Sequence, residues 1–428
     1  MPQPKWQRLL EITTWRAEAS GAPVPLSSPW TEHLERSITR YSDHLLPLLK
    51  SFGFRAPLDV LDVVEVLITI ASLLRKSTSS QDKTQSETTL AILLILLRKE
   101  YRVTADGITA DCAAQNDACH QAIFILCGLL SMVYEPSTQG QARINAPDWL
   151  VAHQLVQPEV SLRTILDRPL GFFLRSYGQL LPEPRHHISQ ATRQVYASSL
   201  SAYSLRNIGK ITFEWTGTLS NHLTFLPLTR TLLIFRYPSF CAMNLWPSGH
   251  SIFDKLLHGY YTGPDPDLSR SKSLNQEIIL SYRLLFGQDS MSRPIFKQMS
   301  ASQRLEDPLL SLLCTKGVGK HIYSLPSHYW PAACRYHMDA GGRLREQSTY
   351  SLNTDFPLLA DRLEIMQTYM NSQKASRKRD MYRDRRNAGE WLASWPVLML
   401  ALVALLLSFL QLVVGAVQLA YTIKPRKG

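Results

Sequence analysis

From Pro396 to Tyr421 the chain runs 26 residues without a charged side chain, built mainly from Leu, Val and Ala. A helix rises about 1.5 Å per residue, so this run is long enough to cross a hydrocarbon core of roughly 30 Å with some tilt. A core helix of a soluble protein would carry a charged stripe, and this run has none. Trp391 and Trp395 precede it and Tyr421 closes it, positions where amphipathic rings favour the headgroup layer. The segment predicts one transmembrane helix.

The flanks predict its orientation. Lys374, Arg377, Lys378, Arg379, Arg383, Arg385 and Arg386 stand before the run, and Lys424, Arg426 and Lys427 follow it. Positive charge favours the cytosolic side, so the N-terminal body is expected in the cytosol. Met1 to Ala19 carries five charges and no apolar stretch of the kind a secretory signal needs. The pattern is that of a tail anchor with a short basic tail, 422–428. Its length and apolarity favour the endoplasmic reticulum, with the mitochondrial outer membrane as the alternative.

Residues 374–428 contribute +7 of the formal net charge of +11, from ten Lys or Arg against Asp380, Asp384 and Glu390. The high pI is therefore mostly a juxtamembrane belt, 374–395, and not a nucleic-acid-binding surface. Beside an anionic leaflet such a belt gains about 1 kcal/mol per cation, which makes membrane lipid an expected partner.

Within the span, Ala401, Ala404, Ser408, Gln411, Gly415, Gln418 and Thr422 are spaced alternately three and four apart. They form one stripe, with Leu and Val on the other faces. Small residues let helix backbones approach in lipid and Gln bonds across helices, so the stripe predicts association with a second copy or another membrane protein.

The body is expected to be mainly α with a small antiparallel β unit. Residues 1–134 read as a helical lobe. Trp6, Leu9, Leu10, Thr13 and Ala17 suit one helix face. In Leu58–Lys76 the polar residues form a single stripe on an otherwise apolar helix. Thr88–Leu97 and Gln121–Tyr134 read the same way. Residues 135–373 read as an α+β lobe. Ile211, Phe213 and Trp215 alternate with polar residues, and His222–Phe225 and Thr231–Arg236 follow across the turn-like 226–230, which predicts two or three antiparallel strands. Helical patterns return at Ile252–Tyr260, Leu274–Phe286 and Leu358–Tyr369, while Gly287–Asp355 reads as irregular.

Chemical motifs are few. The six cysteines contain no CxxC pair, and Cys112, Cys119, His120 and Cys127 share one helix without the paired spacing of a zinc site. Asp59, Asp62 and Glu65 are three apart, as in Mg²⁺-binding helices, but lack a second acidic motif to clamp a diphosphate. Gly317-Val-Gly-Lys-His321 has neither the first glycine nor the hydroxyl of a phosphate loop. Ser248, His250 and Asp254 are too close in sequence to read as a converging triad. No cofactor or metal is expected. Glu214 and His222 flank the predicted strands and are the candidates for an acid and a base.

Glu214-Trp215, Leu219-Ser220, His222-Leu223, the run Leu233 to Cys241, the run Leu280 to Gln288, and Asp384-Arg-Arg386 before a Trp-bounded apolar tail resemble a family of fungal proteins. Its members are similar across nearly the whole chain, end in a membrane helix, and in some cases lie near secondary-metabolite genes. The family has no defined catalytic motif, so the resemblance assigns no site. It implies a fungal source and a link to specialised metabolism. Two readings result: a non-catalytic adaptor on an internal membrane, or an unorthodox cyclase or isomerase acting on a lipophilic intermediate, which positioning alone can catalyse.

Overall fold

The computed structural model describes residues 5–6, 8–9, 29–50, 59–76, 90–100, 112–137, 193–245, 274–303, 307–314, 329, 346–373 and 388–423. Two compact units result, Met1–Ser372 and Gln373–Gly428. The first is mainly helical with two small sheets. The second contains one long apolar helix.

Four helices lead. α1 (Pro29–Lys50) has Pro in its first turn, Glu32 near its N-terminus and Lys50 at its end, each suited to the helix dipole. Trp30, Leu34, Ile38, Tyr41, Leu45 and Leu49 bury one face, and each such side chain contributes about 1.5–3 kcal/mol on leaving water. α2 (Val60–Lys76) and α3 (Leu90–Glu100) follow, then α4 (Cys112–Ser131). These match three of the expected helices to within a few residues, except that α4 starts earlier than Gln121. α1 was not anticipated.

Asp59 and Asp62 have local work at the start of α2. Asp59 Oδ1 accepts from Leu61 N at 2.8 Å and Asp62 N at 3.1 Å, and Asp62 Oδ2 accepts from Asp59 N at 2.8 Å. This reciprocal arrangement satisfies donors that a helix N-terminus leaves open. Glu65 pairs with Lys5 at 2.7 Å.

The next elements are β1 (Gln194–Tyr196), α5 (Ala197–Leu200), α6 (Ala202–Asn207), β2 (Thr212–Thr216), a 3₁₀ turn at Leu219–Asn221, β3 (Phe225–Leu226), β4 (Thr231–Phe235) and α7 (Pro238–Met243). β3 pairs with β4 antiparallel, as expected of a strand pair around the 226–230 turn. β2 pairs with β4 parallel, Thr212 opposite Thr231 through Thr216 opposite Phe235, so the unit is mixed and not wholly antiparallel. The cause lies in residues 217–224. The chain leaves β2, turns at Leu219–Asn221, passes Leu223 at φ 61° and returns as β3 along the far edge of β4. His222 belongs to this turn and not to a strand.

α8 (Leu274–Tyr282) continues into a π-helical turn, Arg283–Gly287, and is followed by α9 (Ser292–Gln303), α10 (Pro308–Cys314), β5 (Thr349–Ser351) and α11 (Ala360–Ser372). Among its described residues the region expected to be irregular, Gly287–Asp355, thus holds two helices and a strand. β5 pairs antiparallel with β1, Val195 opposite Tyr350. Glu277 is buried in α8, and its carboxylate accepts from Leu358 N at 3.0 Å and Leu359 N at 2.8 Å, closing the N-terminus of α11. The expected helix at Ile252–Tyr260, the connection at 138–147 and the Ser248, His250, Asp254 and Gly317–His321 segments lie outside the described residues.

The second unit is α12 (Ala388–Ile423), 36 residues long. Met399–Leu419 within it is a candidate membrane span, 21 residues of mean hydropathy 2.6 with none of its window buried. Ser408 Oγ donates to Ala404 O at 2.9 Å, so its hydroxyl is satisfied within the helix. Ala401, Ala404, Ser408, Gln411, Gly415 and Gln418 are all exposed on it, and a β-carbon at Gly415 would meet nothing within 4 Å. The side chains of Trp391, Trp395, Tyr421 and Thr422, the belt 374–386 and the tail 424–428 lie outside the described residues.

Candidate binding cleft

β2 is an edge strand of the three-stranded sheet, and Glu214 on it is exposed. It borders a cleft of about 290 Å³ between that strand, α1 and the end of α4, where His33, Arg40, Glu135, Trp215 and Asn221 also contribute. The layers are tied together beside it. Leu219 N donates to Met132 O at 2.7 Å, and Met132 holds φ 52° to turn the chain there. Tyr41 Oη donates to Pro136 O at 2.5 Å, and Arg40 pairs with Glu135 at 3.1 Å.

His33 is one of two strongly perturbed groups lining this cleft, with Tyr41, whose hydroxyl burial pushes well up. Burial, and then the neighbouring Arg36, Arg236 and Arg40, hold its imidazole at about 4, so it is neutral at physiological pH. Its ring lies 5.0 Å from that of Tyr237, over which the Arg236 guanidinium sits at 5.3 Å. Gly217 lies close by: a β-carbon there would come to 3.2 Å from the His33 ring, which would have to give by a few tenths of an ångström. A neutral imidazole, a carboxylate and a paired guanidinium around one opening can hydrogen-bond a small polar ligand, and Trp215 and Leu129 offer apolar walls. A second hollow of about 540 Å³, bordered by Lys5, Arg8, Glu65 and Glu100, has the Lys5–Glu65 pair already closed across it.

His222 is elsewhere. It is 1% exposed. Its Nδ1 accepts from Phe235 N at 3.2 Å, which leaves the proton on Nε2, bonded to Ser281 Oγ at 2.7 Å, and Ser281 donates on to Ile278 O at 2.6 Å. Burial first and the Arg362 charge second hold it well below the usual histidine range. Arg362 itself donates to Ser220 O at 2.7 Å and to His222 O. His222 therefore locks the turn onto β4 and α8. Glu214 reaches the cleft and His222 does not, so the two candidates do not meet at one accessible site.

The remaining chemical candidates are structural by their surroundings. Cys119, Cys127, Cys241 and Cys314 are buried and in no disulfide, and burial pushes the Cys127 thiol up to about 12, far from a reactive thiolate. Among the described residues no three His, Cys, Asp or Glu come together as a metal-ligand group. Arg293 donates to Gly287 O and Gln288 O, and Arg283 to Leu313 O, so both serve the C-terminal carbonyls of helical segments.

His33, Arg40 and Glu135 were not singled out from sequence. Each is an ordinary polar residue on or beside a helix, and only the packing of α1 against β2 and α4 gathers them. Comparison with protein-family models, with curated proteins and with solved structures finds no match for this chain.

Proposed function

We propose that this is a tail-anchored protein of an internal membrane whose cytosolic body acts as a non-catalytic adaptor in fungal specialised metabolism. One observation carries the reading: a 21-residue apolar helix with none of its window buried presents Leu, Val and Phe on all faces but the small and polar stripe, a surface compatible with lipid and not with water. The excess of Lys and Arg before the span supports a cytosolic body. The stripe from Ala401 to Thr422 supports association with a second copy or another membrane protein. The endoplasmic reticulum is the compartment that the long span favours.

The cleft favours a second reading, catalysis on a lipophilic intermediate, with Glu214 as the ionisable group and neutral His33 beside it. The two are separated by metabolite profiling of a strain lacking the gene. The strain is complemented with wild type, with Glu214→Gln, and with a chain whose residues 396–421 are replaced by an unrelated tail anchor for the same membrane. The adaptor reading expects Glu214→Gln to restore the profile fully. An accumulating intermediate with Glu214→Gln at normal protein level selects the enzyme. Full rescue by the unrelated anchor limits the span to localisation, whereas failed rescue assigns it a partner. An unchanged profile on deletion removes the metabolic link.

A further inference from the structure

Among the described residues of the body the most exposed large apolar side chain is Leu228, at 81%. It sits at the tip of the β3–β4 turn, where Pro227, Thr229 and Arg230 are exposed as well. Arg230 holds φ 53° and its carbonyl accepts from Thr212 N at 2.8 Å, which fixes the tip to the start of β2. Lys210, at φ 56°, lies two residues before Thr212. The sheet therefore ends in one rim that carries Leu228, with Lys210 just before β2 and Arg230 just before β4. Across 193–245 there are five Lys or Arg and a single acid, Glu214, which faces the cleft further along β2. The nearest acid on α11, Glu364, is tied to Arg193 at 2.8 Å.

The C-terminal turn of α11 packs against this same rim. The Tyr369 ring lies 4.7 Å from that of Phe225 in β3, Tyr369 Oη donates to Gly209 O at 2.8 Å, and the Met370 sulfur lies against Gly209. α11 ends at Ser372, where the body ends and the chain runs on to the apolar helix starting at Ala388. The 15 intervening residues can reach at most about 55 Å, so the body stays tethered to the span.

We infer that the Pro227–Arg230 tip is a second membrane contact: Leu228 enters the interfacial layer while Lys210 and Arg230 meet anionic lipid headgroups. A single apolar side chain and two cations bind a bilayer weakly on their own, and a leash converts that weak contact into an intramolecular one at high effective concentration. The contact would set which face of the body, and so which side of the cleft, is turned to the cytosol. The inference rests on the span being a membrane anchor.

The test uses the full chain in vesicles of phosphatidylcholine with phosphatidylserine. A diazirine amino acid replaces Leu228 in one sample and Thr39, exposed on α1, in another. After illumination the lipid adducts are counted, and protease digestion of the same vesicles reports whether the span is protected. The expected result is lipid adducts at position 228 well above those at position 39. They should fall by about fivefold with each of Lys210→Gln and Arg230→Gln, and fall likewise in phosphatidylcholine alone. Equal yields at the two positions with the span protected would overturn this inference and leave the anchor standing. Adducts between two copies of the chain at position 228 would overturn it in favour of self-association. An unprotected span would overturn both.

Discussion

Asp307 and Ser239 share one carboxylate oxygen: Asp307 Oδ2 accepts from the Ser239 hydroxyl at 2.5 Å and from its backbone N–H at 3.2 Å, while Oδ1 accepts from Leu309 N at 2.9 Å. One side chain thus closes the N-termini of both α7 and α10. Burial raises its pKa to about 6 in spite of these bonds, which act in the opposite direction. A folded-state value above the unfolded one means that ionisation costs stability. The contribution is full below the unfolded pKa, near 3.8, and is lost as pH rises through 6. The difference in unfolding free energy between wild type and Asp307→Asn should therefore shift by about 1.4 kcal/mol in favour of wild type between about pH 7.5 and 5. Amide exchange in α7 and α10 is the readout. A difference that stays flat over that range would show that the carboxyl is already ionised at pH 5.

His222 has the opposite sign. Its folded pKa is depressed, so the neutral ring contributes its full stability above about 6.5 and progressively less below it, at about 1.4 kcal/mol per pH unit. His222→Ala leaves the Phe235 amide without its acceptor inside the core and should cost about 2–4 kcal/mol at neutral pH. The gap between wild type and variant should narrow on acidification. Urea denaturation at several pH values measures both effects, and a gap that widens in acid would contradict the neutral assignment.

Gly287 ends the π-helical turn with no room above it. A β-carbon there would overlap the Leu313 carbonyl oxygen and crowd Arg283 Nη1. Gly287→Ala should cost about 1–3 kcal/mol by overpacking. The companion change Gly415→Ala, in open space on the apolar helix, should leave body stability untouched. Thermal unfolding of the two variants side by side checks the contrast, and equal melting temperatures would refute it.

The lipid reading of α12 is tested by charge. Leu406 and Leu410 lie one helical turn apart, and both are more than half exposed. Leu406→Arg with Leu410→Arg should raise the cost of insertion by about 5–7 kcal/mol at the helix centre and release the protein from membranes in alkaline carbonate. Retention of the double variant in the pellet would mean that another segment holds it there.

Legibility varied with how local the cause was. Asp62, Glu65, Thr69, Ser72 and Lys76 form one stripe on Val60–Lys76, with Asp59 just before it, because helix period and burial act on consecutive residues, and α2 was readable for that reason. Trp30 to Leu49 obey the same period, yet the Glu, Arg, Ser, Asp and His between them make α1 read as polar overall. Alternation at Phe213 and Trp215 says strand but carries no direction. The parallel pairing comes from the Leu219–Asn221 turn and from His222 binding the Phe235 amide, and neither has a local signal. β1 and β5 are three residues each and meet across more than 150 positions, from Gln194 to Ser351, beyond what any window shows. Glu214 could be singled out because it stands in an alternating strand. The neutrality of His33 could not, since it arises from helices and arginines brought together only by folding.

The central position of β4 has a kinetic consequence. β3 reaches it across four residues, a closure of small entropic cost, whereas β2 must wait for residues 217–230 to be in place. The hairpin is expected to form early and the parallel strand to dock late, an order that φ-value analysis of β3 and β2 would test. Until it docks, the β2-facing edge of β4 offers unpaired peptide groups flanked by Leu233 and Phe235 to any neighbouring chain. Substitutions in the 217–224 turn should therefore act first on yield during synthesis, by lengthening that exposed interval, and only second on the stability of the finished protein.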